Sequence, residues 1–257
     1  MKRKEFKSGV MAAALIALAS AASAQQAAAA AATPAIDADA VAALDKMGAY
    51  LRSVKTFQVK ATTTRDRVQD DGQLVKVDGS VDILAQFPSH LRIDATNDKK
   101  NRVYLYDGKT FTLYGKVIGY YATVPAPSTV KELADVLADK YDIHIPLEDL
   151  FWWGTERVSS SSITAASDAG PSDVMGTTCE HYTFRQEGID WQIWIQLGDY
   201  PLPRKLVITT LTDEARPQYS AVYSWNLAPS FNEAAFTFDP PADAHKIVMA
   251  SADDAGK

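Results

Sequence analysis

Hydrophobic and polar positions alternate with two different periods along this chain, and each period predicts its own element. Val41, Leu44, Met47 and Leu51 recur at helical spacing, and Asp37 and Asp39 ahead of them suit a helix N-terminus. After Lys55 the period falls to two. Phe57, Val59, Ala61 and Thr63 alternate with polar residues, Asp70-Asp71-Gly72 turns the chain, and Val75 to Ala85 alternate back as a long hairpin. Leu91, Ile93 and Ala95 predict a third strand after Pro88-Ser89. Val103 to Tyr106 and Thr110 to Tyr114 predict a tight hairpin about Asp107-Gly108-Lys109, and Gly119 to Val124 a sixth strand.

Helical spacing then returns. Ser128 is placed to cap a helix carrying Val130, Leu133, Val136 and Leu137, and Pro146 to open a shorter one with Leu147, Leu150, Phe151 and Trp152. Ser159 to Asp173 reads as a weak strand and a loop. The remainder alternates as strands through Tyr182 and Phe184, then Trp191, Ile193 and Ile195, then Leu206 to Thr210, then Tyr219 to Leu227. Phe236 and Phe238 are read as closing the sheet before Pro240-Pro241. The expectation is an α+β fold: one large curved antiparallel sheet of roughly eleven strands, with helices against a single apolar face.

Several strands exceed that pattern. Val103 to Tyr106 are apolar on both faces, as are Tyr120-Tyr121, and the helical insertion carries Phe151-Trp152-Trp153. A sheet wet on one side needs apolar residues only at alternate positions. The excess calls for a second cover, either packed helices or a ligand cavity beneath a lid.

Composition changes the picture at the N-terminus. Lys2, Arg3, Lys4 and Lys7 head an apolar run from Val10 to Ala22, and Ala22-Ser23-Ala24 offers small residues for cleavage. This is the layout of a secretory signal peptide over residues 1–24, followed by a flexible alanine-rich leader over 25–36, a single domain over 37–249 and a frayed tail over 250–257. The four cations and Glu5 leave with the signal, a net of +3, so the formal charge of −6 becomes −9. That balance, without a Lys/Arg stripe, argues against a nucleic-acid partner. No later apolar run approaches about 18 residues, so no transmembrane segment is expected in the mature chain. Cys179 is the single cysteine, so it forms no intramolecular disulfide and lies too far from the cleavage site to be acylated.

Catalytic constellations are sparse. His90, His144, His181 and His245 stand singly, without metal-ligand spacing. Cys179 and His181, two apart in a strand, share a face but supply two ligands where zinc usually takes four, or three and a water. No G-x-S-x-G elbow, P-loop or dinucleotide fingerprint is present, and Asp70-Asp71 reads as a turn. No cofactor or metal is expected, and no enzyme.

Three segments carry a family likeness: Asp78 to Leu84 leading to Phe87-Pro88, Tyr106 to Tyr114, and Ala235 to Pro241. Their order resembles the LolA-like superfamily of periplasmic lipoprotein carriers. The chain from Asp37 to Pro241 is more closely similar to the DUF2092 family of exported proteins, above all in Asp45 to Arg67 and Gly119 to Pro125. The resemblance implies an open half β-barrel with a helical lid, located in the periplasm, that binds the acyl chains of lipids or lipoproteins. In the dedicated carrier an arginine before the proline of the second-strand turn latches the lid; Phe87 stands in that place here, with Arg65 or Arg67 as conceivable substitutes. Candidate lining residues are Val81, Ile83, Leu91, Ile93, Leu105, Phe111, Leu113, Trp191, Ile193 and Ile195, with Val136, Leu137, Phe151 and Trp152 as lid. A monomer carrying an apolar ligand without covalent chemistry is the leading reading. The alternative is an envelope-stress sensor or protein-interaction module of the same fold, with an envelope membrane protein as a candidate partner. The third reading is a hydrolase using Cys179 or His181.

Overall fold

The computed structural model describes residues 35–153, 155 and 159–251, leaving aside the side chains of Asp149 and Phe151. The expected signal peptide, the leader up to Thr33-Pro34 and the tail beyond Ser251 lie outside the described residues. The last two leader residues are not loose: Ile36 bridges Ala166, and the Ala166 amide donates to the Ala35 carbonyl.

Helix α1 spans Ala38–Ser53, and the Asp37 carboxylate accepts from the Asp39 and Ala40 amides at its N-terminus. Six strands follow: β1 (Thr56–Val68), β2 (Leu74–Gln86), β3 (His90–Asn97), β4 (Asn101–Tyr106), β5 (Thr110–Gly115) and β6 (Tyr120–Pro125). Helices α2 (Val130–Tyr141) and α3 (Asp149–Trp152) interrupt the strands. Then come β7 (Ala165–Val174), β8 (Thr177–Gln186), β9 (Ile189–Gln196), β10 (Pro203–Thr210), β11 (Gln218–Asn226) and β12 (His245–Lys246). They form one sheet in the order β12-β6-β5-β4-β3-β2-β1-β11-β10-β9-β8-β7. The neighbours are antiparallel throughout except β12, which runs parallel to β6. The sheet is curved and does not close.

Four sequence expectations are corrected. Thr129, not Ser128, caps α2: its hydroxyl accepts from the Glu132 amide and donates to the Glu132 carboxylate, a reciprocal arrangement that Ser128 joins only at 3.5 Å. The helix after Pro146 starts later, because Leu147 turns at φ 59°. The segment read as weak strand and loop is a ten-residue edge strand, β7, whose irregularity between Asp168 and Gly170 and whose Pro171 suit an edge. Phe236 and Phe238 are not a strand. Phe236 ends a short 3-10 turn, and the sheet edge is completed by His245-Lys246 instead.

The concave face holds the main core. Val59, Ile83, Ile93, Ile193 and Ala221 meet Met47 of α1, Leu133 and Leu137 of α2, and Leu150, Trp152 and Trp153 in and after α3. Each such buried aliphatic side chain contributes about 1.5–3 kcal/mol. α1 and the Trp153 backbone approach so closely that a Cβ at Gly48 would sit 2.7 Å from the Trp153 carbonyl oxygen, so the position admits no side chain. Among the described residues no helix is long and apolar enough to cross a membrane.

Neighbouring residues of α2 separate core from surface. Leu137 is fully buried while Val136 is exposed. Leu137→Ala should therefore cost about 2–5 kcal/mol in urea unfolding, and Val136→Ala should stay within about 0.5 kcal/mol. Equal losses would contradict this docking of α2.

Candidate functional site

Among the described residues, two adjoining unfilled spaces are found between the helices and the sheet. The larger, about 390 Å³, opens where the end of α1, the turn from β2 to β3, the start of α2 and α3 converge. Phe57 and Trp225 form its floor, Phe87 and Pro88 one wall, and Leu51, Val54, Val130, Leu150 and Trp152 the rest. The rings are interlocked: Phe57 lies 5.7 Å edge-on from Phe87 and 5.5 Å from Trp225. The smaller space, about 220 Å³, is walled by Ile145, Leu147, Trp153, Leu206, Ile208 and Tyr223, and Leu150 of α3 borders both. A volume near 390 Å³ falls within the usual range for small-ligand pockets.

The mouth is fixed by backbone bonds that the local sequence dictates. The Phe87 amide donates to the Lys55 carbonyl at 2.7 Å, joining β2's end to the end of α1. The Val130 amide donates to the Pro88 carbonyl at 2.8 Å, so the first turn of α2 rests on the β2–β3 turn. Pro125 and Pro127 break β6, and the Tyr106 hydroxyl donates to the Pro127 carbonyl at 2.5 Å, which ties the approach to α2 down to the sheet. Among the described residues three cations border the mouth: Arg52, which donates to the Trp153 carbonyl, Lys55, and Lys131, whose ammonium stands 6.0 Å from the Trp152 ring centre.

The predicted lining residues divide three ways. Val81, Ile83, Leu91, Ile93, Phe111, Trp191, Ile193, Ile195, Leu137 and Trp152 join the concave core, with the half-buried Leu113 packed against it. Trp152 also borders the larger space, and so does Phe87, at the latch position. Leu105 and Val136 are corrected. Leu105 faces the opposite side of the sheet, because strand alternation puts its neighbours Tyr104 and Tyr106 on the concave side, and Val136 points to solvent. The side chain of Phe151 lies outside the described residues. Arg65 and Arg67 do not replace the latch either. They pair with Val77 and Val75, about ten residues from the Lys55 end of β1, or roughly 33 Å along an extended strand. Among the described residues the guanidinium at the mouth is that of Arg52, on α1, which the sequence reading missed along with Val54, Trp225 and Lys131.

The two-sided apolarity of β4 has its own explanation. Phe236 and Phe238 fold over the outer face of β4–β6, lining a space of about 270 Å³ with Leu105, Thr112, Tyr121 and Thr123. The Phe238 ring lies 4.9 Å from Tyr121 and 5.4 Å from Tyr114, and Arg92 donates to the Ala235 carbonyl.

Cys179 and His181 share the outer face of β8. Cys179 is fully buried, and burial pushes its thiol up from its ordinary value, which disfavours the thiolate. Burial likewise holds the His181 imidazole below its usual range; its Nε2 meets Gln192 Oε1 at 3.0 Å and its ring stacks on Trp194 at 3.9 Å. Among the described residues no three His, Cys, Asp or Glu side chains are grouped to hold a metal ion.

A family model described as a predicted periplasmic protein, DUF2092, matches residues 40–250. The chain belongs to the DUF2092 family. No curated protein matches it. Among solved structures the DUF2092 chain is similar to LprF from Mycobacterium bovis, at 12% identity over 83% of this chain and 100% of that one, with a TM-score of 0.45. It is similar to the lipoprotein LppX of Mycobacterium tuberculosis at 12% identity over 76% and 100%, with a TM-score of 0.40. A LolA superfamily protein from Nitrosomonas europaea is 9% identical over 77% of this chain and 97% of its own, with a TM-score of 0.38.

Burial, with Glu132 and Asp107 nearby, pushes the Tyr106 phenol of this DUF2092 chain up to about 12. A raised phenol contributes stability that is whole below about pH 10 and lost as pH rises toward 12. Tyr106→Phe should lower stability by about 1 kcal/mol at neutral pH, and the difference from wild type should close between about pH 10 and 12. Chemical denaturation across that range checks it, and a constant difference would contradict the role given to Tyr106.

Proposed function

We propose that this DUF2092 protein is exported through a signal peptide cleaved after Ala24, and that its single domain over 37–249 works as a monomer in the periplasm. There it binds and carries an apolar ligand, the acyl chain of a lipid or lipoprotein, between the curved sheet and its helical cover, without covalent chemistry. The observation that carries this reading is the apolar space of about 390 Å³ at the mouth, with the second space of about 220 Å³ behind Leu150. Tight packing is the rule inside proteins, and unfilled apolar volume of this size is where a ligand gains contacts that side chains leave unmade.

On this reading Phe57, Phe87, Trp152 and Trp225 grip the first part of the chain, and displacement of α3 lets it reach the floor residues Ile83, Ile93 and Ile193. Burial of each methylene contributes about 0.8 kcal/mol, so affinity needs no reacting group. Phe87 replaces a polar latch by apolar contact, which suits retention of a hydrocarbon tail.

The test uses the full exported protein. Native mass spectrometry should show a co-purified lipid, or, once stripped, one equivalent of the neutral fluorescent probe cis-parinaric acid methyl ester should bind. Val54→Gln, which sets an amide in the half-buried wall of the mouth, should weaken that binding about tenfold, the equivalent of about 1.4 kcal/mol. A lipid-free protein that also ignores the probe would sink the proposal.

A further inference from the structure

We infer that the mouth selects acyl ligands whose headgroup is an anion, a carboxylate or a phosphate; this rests on the acyl-binding reading above and narrows its substrate class. Among the described residues the charged side chains lining the larger space are Arg52, Lys55 and Lys131, with no carboxylate beside them in the lining. A chain of formal charge −6, with 32 acidic against 26 basic residues, does not give such a grouping by composition alone.

The cations reach the mouth from two helix ends, the C-terminus of α1 and the N-terminus of α2. Arg52 is in the last turn of α1, where a cation suits the helix dipole, and its bond to the Trp153 carbonyl holds the guanidinium at the opening. Lys55 follows α1 directly and its own carbonyl accepts from Phe87 in the wall. Lys131 is in the first turn of α2, where the dipole disfavours a positive charge. Helix stability therefore does not account for it. The neighbouring Glu132 takes the favourable part there, with its carboxylate turned back onto the Thr129 and Ser128 hydroxyls. The Lys131 ammonium instead lies toward the Trp152 ring that borders the cavity.

An apolar pocket with a rim of one charge sign is complementary to an amphiphile of the opposite sign. The tail enters between Phe87, Leu150 and Trp152, and the headgroup stays at the surface among the three cations. Palmitate and a lysophospholipid meet this requirement equally, since both end a hydrocarbon chain in an anion; a monoacylglycerol has the tail without the charge.

The experiment titrates the stripped, exported protein with palmitate, lysophosphatidylglycerol and monopalmitoylglycerol below their micelle concentrations, following intrinsic tryptophan fluorescence. The double variant Lys55→Glu/Lys131→Glu, both positions exposed, is compared with wild type. The anionic probes should bind at least about tenfold more tightly than monopalmitoylglycerol, and the preference should shrink in about 1 M salt, where screening is strong. The double variant should lose the preference while holding monopalmitoylglycerol within about twofold of wild type, which also shows that it is folded. A stronger preference for palmitate assigns the carboxylate, and one for lysophosphatidylglycerol the phosphate; either supports the inference. Equal affinity for charged and neutral probes, or a preference that survives the charge reversal, overturns it and leaves the acyl-binding reading standing. Failure of all three probes to bind overturns both.

Discussion

An antiparallel sheet that curves but does not close has one concave apolar face that it cannot fill with its own side chains, and the rest of this structure follows from how that face is covered. The sheet runs from β12 to β7 without the two edges pairing. Fully buried side chains at Val59, Ile83, Ile93 and Ile193 on its floor would be wet without α1, α2 and α3 above them. A closed small barrel would fill its interior from opposite strands. Here helices do that work, and helices meeting a curved floor at their ends leave gaps. The gap at the convergence of α1, α2 and the β2–β3 turn is the mouth.

The cover is tied down unevenly. The approach to α2 is held by Tyr106 through Pro127 and by Pro88 through Val130, and α1 is held by the contact of Gly48 with the Trp153 backbone. α3 is a single turn, preceded by the left-handed Leu147 and set between the two cavities. A short element with few backbone bonds of its own is the part of the cover that costs least to displace. On the outer face, by contrast, the C-terminal segment with Phe236 and Phe238 lies over β4–β6, and Arg92 anchors it.

Much of this was legible in the sequence. The period-two runs placed β1 to β6 and β8 to β11 because each strand buries alternate residues on one shared face, and Asp37 marked the start of α1 by a capping chemistry that is purely local. The two-sided apolarity of Val103 to Tyr106 correctly signalled a second cover, but alternation cannot say which side the ligand or the lid takes. Alternation alone therefore admits Leu105 to the cavity, whereas Phe236 and Phe238 cover it on the outer face. Those two phenylalanines have the spacing of a strand, yet their partners lie across the sheet face and not along its edge. Val136, three residues after Leu133, fits the helical period, yet it falls at the margin of the stripe, about 100° of helix from the buried Leu137. The cationic rim was illegible for a different reason: Arg52 and Lys55, neighbours at the end of α1, lie far in sequence from Lys131 and meet it only because the Phe87 and Val130 amides bond to the Lys55 and Pro88 carbonyls. The outer pair Cys179 and His181 was correctly placed on one face by the strand period.

The central claim is that the ligand occupies the space between sheet and helices and not the outer faces. A crystal structure of the exported protein with palmitate bound tests it most directly. The account predicts density for the chain running from the mouth at Phe87 and Trp152 past Leu150, with α3 displaced. Density on an outer face, beside Trp194 or under Phe238, with the mouth and α3 unchanged, would contradict it.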